Sequence, residues 1–382
     1  MKARRLRVAV VRQRYSAYGG AERFVARALP ALERSGAEVT IIARSANGWG
    51  ARRVLRVDPP YAGSLWRDWS FARGARAAWQ RESFDVVQSH ERIPGCDLYR
   101  AGDGVHRRWL ELRRAAAGPL ERLGIALNPY HHYVCGAERR MFEHPRLRAV
   151  ICNSRMVRDE ILHRFRVAPE KLHVIYNGVD LAHFHPERRA ALRGAARAEL
   201  GCAPRDTLFL LVGSGFSRKG LEAAIDALGV SGNPALWLVV VGKDGHEGQF
   251  ARRAQDAGLG SRVRFLGAKE DVRPFYAAAD CFLLPSRYDP FPNTALEAMA
   301  MGLPAIVSSR CGAAEIIDHG LNGWVCEPDD APGIARLMRT ADAALRSAAP
   351  AAAARATAER YSIDAMASAL ADLYRTLGTA RR

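Results

Sequence analysis

Short apolar runs alternate with helix-length amphipathic segments along most of the chain. In the first half, an apolar run at residues 6–11 is followed by a loop that contains Gly19 and Gly20. Apolar residues at helical spacing continue as far as Leu32, and Glu38–Ala43 has the composition of a second strand. A strand, a glycine-bearing loop, a helix and a second strand form the βαβ unit of a parallel sheet.

The same pattern begins again after residue 176. Predicted strands at residues 208–212, 236–241, 263–266, 281–284 and 305–308 have helical segments between them. Residues 213–220 (GSGFSRKG) form a loop between the first of these strands and a predicted helix. Two such halves predict an α/β fold in which two Rossmann-like, doubly wound domains face each other across a central cleft.

The Asn177-Gly178 step marks the predicted joint, because Asn-Gly is typical of turns. We therefore predict an N-terminal domain over residues 1–175 and a C-terminal domain over residues 176–358. The alanine-rich stretch 343–358 is interpreted as a plain surface helix rather than a linker. Residues 359–382 carry apolar side chains at helical spacing, which predicts a final helix.

The composition is that of a globular protein. The 382 residues are 48% hydrophobic and 25% charged. No apolar stretch reaches the roughly 20 residues of a membrane-spanning helix, and the N-terminal run is shorter than the ~7–15 residues of a signal-peptide core. The seven cysteines include no Cys-x-x-Cys pair, which argues against a disulfide framework and a zinc site. We therefore expect a cytoplasmic protein.

The net charge of +17 is concentrated in the first half of the chain. Residues 1–180 contain 33 Lys and Arg against 18 Asp and Glu, whereas the remainder contains 24 against 22. Such a basic half attracts nucleic acid, an anionic membrane surface or a phosphorylated substrate. Because 52 of the 57 basic residues are Arg, biased coding is an alternative explanation. Nucleic acid is not expected as a partner, since the sequence has no zinc-finger spacing and no RNP-like run.

Two carboxylates bracket the segment Asp289-Pro-Phe-Pro-Asn-Thr-Ala-Leu-Glu297. Asn293 or Thr294 is predicted to cap a helix, which places Asp289 in the loop before the helix and Glu297 about one turn inside it. At the carboxyl end of a parallel strand, such carboxylates accept hydrogen bonds from sugar or ribose hydroxyls. Alternatively, Asp289 is only an acidic residue near a helix start, Glu297 is only a solvated glutamate of the helix, and neither binds a ligand.

A basic pair, Arg218-Lys219, comes directly before Gly220 and the helix predicted from Leu221. A helix N-terminus already concentrates unpaired N–H groups and partial positive charge. A guanidinium and an ammonium added there suit a diphosphate. Lys219 is one of only five lysines in the chain, so a coding bias toward Arg does not explain it.

Other candidate residues have weaker signals. Gly19 and Gly20 allow a ligand to approach the backbone closely, although a tight turn alone would also use them. His90 and Asp103 lie near or beyond the end of the strand predicted at residues 85–87 and are candidates to face a ligand, or serve a structural role. The histidine pairs lack a third metal ligand and Asp-x-Asp is absent, so no metal site is expected. Neither a Gly-x-Ser-x-Gly elbow nor a Walker loop occurs.

An ordered set of motifs runs through nearly the whole chain. It comprises ICNSRMV at residues 151–157, KLHVIYNGVD at residues 171–180, the loop that ends in Arg218-Lys219-Gly220, the Asp289-x7-Glu297 segment with Gly-Leu-Pro at residues 302–304, and GAAE at residues 312–315 with Asn322-Gly323. This set resembles the family 4 retaining glycosyltransferases of GT-B fold. Within that family, residues 94–99, 138–143 and 213–220 resemble segments of the lipopolysaccharide core glucosyltransferases that act on the inner-core heptose.

The resemblance implies how the chain would hold a nucleotide-sugar donor. Arg218 and Lys219 would bind the diphosphate, with Gly19 and Gly20 bordering the phosphates. Glu297 would bind the ribose hydroxyls.

The resemblance also implies contacts to the donor's sugar and base. Asp289 and the backbone at Phe291 and Asn293 would hold the sugar hydroxyls. The backbone at Arg264 and Phe265 would contact the base.

On the acceptor side, the resemblance places Asp103 near the reacting sugar, where it would join Asp289, Arg218 and Lys219 as a catalytic residue. His90 is the acceptor-side candidate. The final helix would cross back onto the N-terminal domain.

Two departures from the family pattern concern the donor sugar. Asp289 stands where the family usually has Glu, which shortens the reach of the carboxylate by one methylene. Pro290 and Pro292 lack the N–H donors that this loop usually offers to a sugar. The identity of the donor sugar is therefore left open by the sequence.

We predict a hexosyltransferase that moves glucose from UDP-glucose, with retention and without a metal or other cofactor, onto a phosphorylated glycolipid acceptor, the inner-core heptose of lipopolysaccharide. The basic first half would hold that acceptor and an anionic membrane surface, as a peripheral protein on the cytosolic face of the inner membrane. The alternatives are a family 4 enzyme for a capsule, exopolysaccharide or phospholipid acceptor, a sugar-nucleotide epimerase, and a basic nucleic-acid-binding protein.

Overall fold

The computed structural model describes residues 5–14, 29–30, 33 and 36–379. Gly19, Gly20 and most of the helix predicted after them lie outside these residues. The chain divides into two compact units. Unit 1 comprises Met1–Asn177 and Asp364–Arg382, and unit 2 comprises Gly178–Ile363.

Unit 1 contains a seven-stranded sheet in the order β3-β2-β1-β4-β5-β6-β7, with every described pair parallel. The strands are β1 (Arg7–Val11), β2 (Glu38–Ala43), β3 (Arg53–Arg56), β4 (Val86–Ser89), β5 (Leu98–Ala101), β6 (Ala149–Cys152) and β7 (Leu172–Val174). The order reverses direction between β1 and β4, because the chain leaves β1 toward β2 on one side and resumes with β4 on the other.

The helices described for unit 1 connect these strands or follow them. They are α1 (Gly63–Arg81), α2 (His106–Ala116), α3 (Pro119–Leu127), α4 (Pro129–Phe142), α5 (Arg155–Arg164) and the final helix α13 (Ile363–Thr379). Helix α13 contributes Leu370 and Tyr374 to the apolar cluster that contains Val10 and Ile41 of the sheet. Helix α1 contributes Phe71 to a second apolar cluster.

Unit 2 contains a six-stranded parallel sheet in the order β10-β9-β8-β11-β12-β13. The strands are β8 (Thr207–Val212), β9 (Leu236–Val241), β10 (Val263–Phe265), β11 (Cys281–Leu284), β12 (Ala305–Ser308) and β13 (Gly323–Cys326). The central strands β8 and β11 are buried along their whole length, as expected for a parallel sheet covered on both faces. The strand order reverses between them.

The helices described for unit 2 precede the first strand, lie between strands or follow the last strand. They are α6 (Pro186–Leu200), α7 (Leu221–Val230), α8 (Glu247–Asp256), α9 (Arg273–Ala278), α10 (Asn293–Ala300), α11 (Ala331–Ala344) and α12 (Ala349–Glu359). The expected α/β architecture of two doubly wound sheets is confirmed.

The alanine-rich stretch differs from the prediction of one plain surface helix. Helix α11 ends at Ala344 and α12 begins at Ala349, with Pro350 in its first turn, where the missing N–H costs nothing. Ala354 and Ala358 of α12 are fully buried, so small side chains here allow close packing. Within the described ranges, no helix combines the length and the apolar character needed to cross a membrane.

Candidate functional site

The carboxyl ends of β8 and β11 meet at the point where the strand order of unit 2 reverses. In open α/β sheets, ligands bind outside the carboxyl ends of the strands at such a switch point. Residues 213–220 leave β8 and lead into α7, and residues 285–292 leave β11 and lead into α10. The two segments that carry the predicted donor-binding residues are therefore neighbours.

Gly220 fixes the entry of the chain into α7. Its φ of +76° lies in the left-handed region, and a Cβ at this position would lie 2.0 Å from the carbonyl oxygen of Pro285. Only glycine allows this approach of the two loops. The side chain of Lys219, directly before it, is thereby held beside the loop that follows β11.

Lys219, Arg218 and Asp289 form one charged cluster. Lys219 Nζ donates a hydrogen bond to Asp289 Oδ2, and Arg218 Nη1 lies 3.5 Å from the same oxygen. Arg218 Nη1 also donates to the carbonyl oxygen of Tyr288 at 3.0 Å. Three of the residues that the sequence singled out are therefore brought together.

The cluster is mostly removed from solvent. The side chains of Lys219 and Asp289 are 9% and 7% exposed, whereas that of Arg218 is 36% exposed. Burial by itself raises the pKa of Asp289, but the ammonium of Lys219 and the guanidinium of Arg218 outweigh it and hold that pKa below its ordinary value. The cluster therefore carries a net positive charge.

Backbone hydrogen bonds fix the position of Asp289. Its N–H donates to the carbonyl oxygen of Arg310 at 3.1 Å, and its carbonyl oxygen accepts from the N–H of Gly312 at 2.8 Å. The carboxylate is thus attached to a rigid frame that joins the loop after β11 to the segment after β12.

The start of α10 corrects a prediction made from the sequence. Neither Asn293 nor Thr294 caps the helix, because both lie within its first turn and Pro292 occupies the N-cap position without a side-chain hydrogen bond. Helix α7 likewise begins at a Gly220 N-cap without a side-chain cap. Neither helix therefore has a side-chain cap at its N-terminus, a feature suited to anions.

Glu297 lies one turn inside α10, as predicted, and is fully buried. The hydroxyl of Tyr276, on α9, lies 3.2 Å from Glu297 Oε2 and 3.2 Å from the carbonyl oxygen of Thr294. Tyr276 was not singled out from the sequence. Its position in an apolar helical segment looks like that of any core residue, and no local motif signals its contact with a glutamate 21 residues away.

The predicted base-contacting residues lie on β10, at the edge of the same sheet. Phe265 is partly buried, and its ring centroid lies 6.3 Å from that of Phe216 in the loop after β8. Arg264 is exposed. Phe291 is buried in the loop before α10.

The two candidate residues of unit 1 have different environments. His90 directly follows β4 and is buried, with its Nε2 2.7 Å from Gln88 Nε2. Burial, together with the charges of Arg100 and Arg12, holds the pKa of His90 well below its ordinary value, so its imidazole is neutral. Asp103 is exposed in the turn after β5.

Comparison with known proteins identifies the family. Residues 18–183 match the family described as Glycosyltransferase Family 4, and residues 193–343 match the family described as Glycosyl transferases group 1. The chain therefore carries glycosyltransferase domains of the family 4 and group 1 types.

Individual relatives agree with this assignment. The lipopolysaccharide glucosyltransferase WaaG of Escherichia coli K12 is 29% identical over 262 residues, which are 67% of this chain and 68% of that protein. The crystal structure of WaaG, a glycosyltransferase involved in lipopolysaccharide biosynthesis, has a TM-score of 0.81 at 26% identity and covers 96% of this chain and 99% of its own. The Anabaena protein Alr3699/HepE in complex with UDP-glucose shares the fold, with a TM-score of 0.72 at 20% identity over 97% of this chain and 100% of its own. The expected GT-B architecture is confirmed.

The geometry of unit 2 allows this glycosyltransferase to bind an anion next to hydroxyl groups. Two cationic side chains and two uncapped helix N-termini attract phosphate oxygens, and the carboxylates of Asp289 and Glu297 accept hydrogen bonds from hydroxyls. Among the described residues, no three His, Cys, Asp or Glu side chains are grouped so that they could hold a metal ion.

Proposed function

We propose that this glycosyltransferase transfers glucose from UDP-glucose to a hydroxyl of a phosphorylated glycolipid, with retention of the anomeric configuration and without a metal ion. The observation that carries the proposal is the partly buried Arg218–Lys219–Asp289 cluster beside two uncapped helix N-termini. A diphosphate leaving group needs positive charge in a site from which water is largely excluded, and this cluster supplies it.

In the proposed reaction, the bond between the anomeric carbon and the diphosphate oxygen breaks while the acceptor oxygen bonds to that carbon on the same face. The acceptor's proton passes to the leaving phosphate oxygen, so no protein nucleophile is required. Arg218 and Lys219 stabilise the charge that develops on the diphosphate. Asp289, fixed by its backbone hydrogen bonds to Arg310 and Gly312, orients the sugar hydroxyls.

Glu297 is proposed to bind the ribose. It is fully buried within the first turns of α10, and Tyr276 limits the orientations of its carboxylate. A carboxylate at this position accepts two hydroxyl donors, as the vicinal hydroxyls of a ribose provide. Support for glucose comes from the relative WaaG, a lipopolysaccharide glucosyltransferase. Support for uridine comes from the structural neighbour HepE, which is in complex with UDP-glucose.

The acceptor is proposed to be the inner-core heptose of lipopolysaccharide, approached from an anionic membrane surface on the cytosolic side. The involvement of the relative WaaG in lipopolysaccharide biosynthesis supports this acceptor. Helix α3 supports the surface, because Leu120, Leu123 and Leu127 lie on one face and are 87%, 56% and 69% exposed. Arg122 of α3 and Arg114 near the end of α2 are also exposed, and exposed apolar side chains together with arginines are typical of helices that lie on anionic membranes.

The decisive experiment incubates the purified enzyme with UDP-glucose and a lipid-linked, heptose-terminated core acceptor in EDTA. We expect release of UDP and an α-linked product whose anomeric coupling is read by NMR. UDP-glucose consumption without an acceptor would favour an epimerase, and tight, salt-sensitive binding of RNA or DNA without transfer would favour a nucleic-acid-binding protein. Transfer only after addition of Mg²⁺ would contradict the metal-independent mechanism.

A further inference from the structure

Unit 1 has a cavity at the switch point of its own sheet. The strand order reverses between β1 and β4, and the cavity lies outside the carboxyl ends of these two strands. Gln13 follows β1, Glu91 follows β4, and both line it together with side chains of α1, α4 and the start of α2. The space between these side chains, including the open solvent at its mouth, is about 480 Å³.

Two carboxylates dominate the polar lining of this cavity. Glu91 Oε1 accepts from the N–H of Gln13 at 2.9 Å and from Arg12 Nη1 at 3.3 Å. Among the residues that the structure describes, none donates to the other oxygen, Oε2. Asp68 accepts from Gln13 Nε2 at 3.3 Å and from the hydroxyl of Tyr130 at 2.9 Å. The carboxylates are therefore oriented by neighbours and keep acceptor capacity for a ligand.

The cations near the cavity are engaged by carboxylates. Arg92, a basic side chain that lines the cavity, donates from Nε to Glu138 at 3.0 Å and from Nη2 to the carbonyl oxygen of Gly104 at 3.1 Å. Glu138 is fully buried. Arg12 and Arg67 pair with Glu91 and Asp68 and do not line the cavity. A phosphate entering here would meet two carboxylates, and Arg92, Arg12 and Arg67 are each already paired with a carboxylate.

The remaining lining is uncharged or aromatic. Burial, with the charge of Arg92, lowers the pKa of His106 to about 3, so its imidazole is neutral at physiological pH. Tyr130, Tyr133 and Phe71 supply rings with apolar faces. Burial also raises the pKa of Glu91, but the contact to Arg12 opposes this shift. Acceptor oxygens beside aromatic rings fit a ligand that is rich in hydroxyls and carries no negative charge.

We infer that this cavity binds an unphosphorylated sugar ring through Glu91 and Asp68, and so selects the hydroxyl-bearing part of the acceptor. The inference rests on the proposed function in one respect, because the sugar is taken to be part of the acceptor. It adds that any phosphate of the acceptor contacts residues outside this cavity. Glu138 and Arg92 act as positioning residues that hold the start of α2, since Glu138 also accepts the N–H of His106 at 2.9 Å.

The test measures sugar binding apart from transfer. Methyl α-glycosides of neutral hexoses and heptoses, and the matching sugar phosphates, are titrated into the full-length protein and followed by saturation-transfer NMR, with UDP affinity measured in parallel. We expect the neutral glycosides to bind more tightly than the phosphates. Glu91→Gln and Asp68→Asn should each weaken them about tenfold, since each replaces an acceptor oxygen by a donor.

A matched control and the UDP arm separate the possible failures. Glu121→Gln changes an exposed carboxylate that pairs with Arg113 and is not among the residues that line the cavity, so it should leave glycoside binding unchanged. Three results would overturn the inference. They are no binding of the neutral glycosides, binding to the Glu91 and Asp68 variants that is as tight as to the wild type, and weaker binding of the neutral glycosides than of the sugar phosphates. In each of these cases, intact UDP binding leaves the proposed function standing, whereas loss of UDP binding in the wild type contradicts the proposed function itself.

Discussion

Replacing Lys219 by methionine tests the diphosphate site most informatively. Methionine keeps most of the length and apolar stem of lysine but removes the ammonium that contacts Asp289. Hydrogen bonds to charged groups contribute about 1.5–3 kcal/mol each. We therefore expect UDP to bind about 10- to 150-fold more weakly to the variant.

The same substitution affects stability, and the structure indicates how much. Removing one partner of a buried ion pair costs roughly 3–5 kcal/mol when the other charge is left alone. Asp289 keeps Arg218 at 3.5 Å, so the cost here should fall below that range. The double variant Lys219→Met/Asp289→Asn removes both charges, and its stability should recover while its UDP affinity stays low.

The assay is calorimetric titration of UDP, with thermal unfolding of each variant measured in the same buffer. Lys171→Met is the matched control. It makes the same substitution at a lysine of unit 1, whose ammonium donates to the carbonyl oxygen of Leu147. It should leave UDP affinity unchanged. A Lys219→Met protein that is folded and binds UDP with wild-type affinity would refute the assignment of the diphosphate to this cluster.

Four further outcomes are expected. Tyr276→Phe removes the hydroxyl that orients Glu297, so it should raise the KM for UDP-glucose several-fold with little change in kcat. It should also reduce the preference for ribose over 2′-deoxyribose nucleotides, and an unchanged preference would contradict the role of Tyr276 in orienting Glu297. Gly220→Ala should lower the melting temperature and UDP affinity together, since its Cβ collides with the Pro285 carbonyl, and a neutral effect would argue against the close loop contact. Because the pKa of Asp289 is lowered in the folded protein, its negative charge stabilises the fold at pH values above the ordinary pKa of an aspartate, and this contribution is lost as the pH falls through the lowered pKa. The difference in unfolding free energy between wild type and Asp289→Asn, measured by urea unfolding, should therefore be largest at neutral pH and smaller in acid. Leu123→Ser should weaken sedimentation with phosphatidylglycerol vesicles but not UDP binding, and equal sedimentation would exclude α3 from the membrane contact.

Much of the fold is predictable from local sequence patterns. The strands β9, β11 and β12 agree with the predicted bounds because they are uninterrupted apolar runs between turn residues. Strands β5, β6 and β7 were not predicted. They are only three or four residues long, and in a region of helices their apolar residues have no distinct period.

The candidate site is predictable only as far as its residues lie in motifs. The position of Arg218 and Lys219 before a helix, and of Asp289 and Glu297 around another, marked these residues as candidates. Their contact depends on the parallel pairing of β8 with β11, which brings together segments 70 residues apart in the chain. Tyr276 and the cavity of unit 1 are products of such long-range pairing and carry no local signal.

The N-cap of α10 shows a different reason for a wrong prediction. Asn and Thr are strong capping residues, so the pattern favoured a cap at Asn293 or Thr294. Pro292 instead takes the N-cap position, and both polar residues lie within the helix and are buried beside the site. The local preference for Asn or Thr at an N-cap is therefore overridden here by Pro292.

A crystal structure of the enzyme with UDP-glucose would test the central claim most directly. The account predicts diphosphate oxygens within hydrogen-bonding distance of Lys219 Nζ and the Arg218 guanidinium, with the ribose hydroxyls on Glu297. A nucleotide bound elsewhere, with the contact between Lys219 and Asp289 unchanged and no phosphate beside it, would contradict the account.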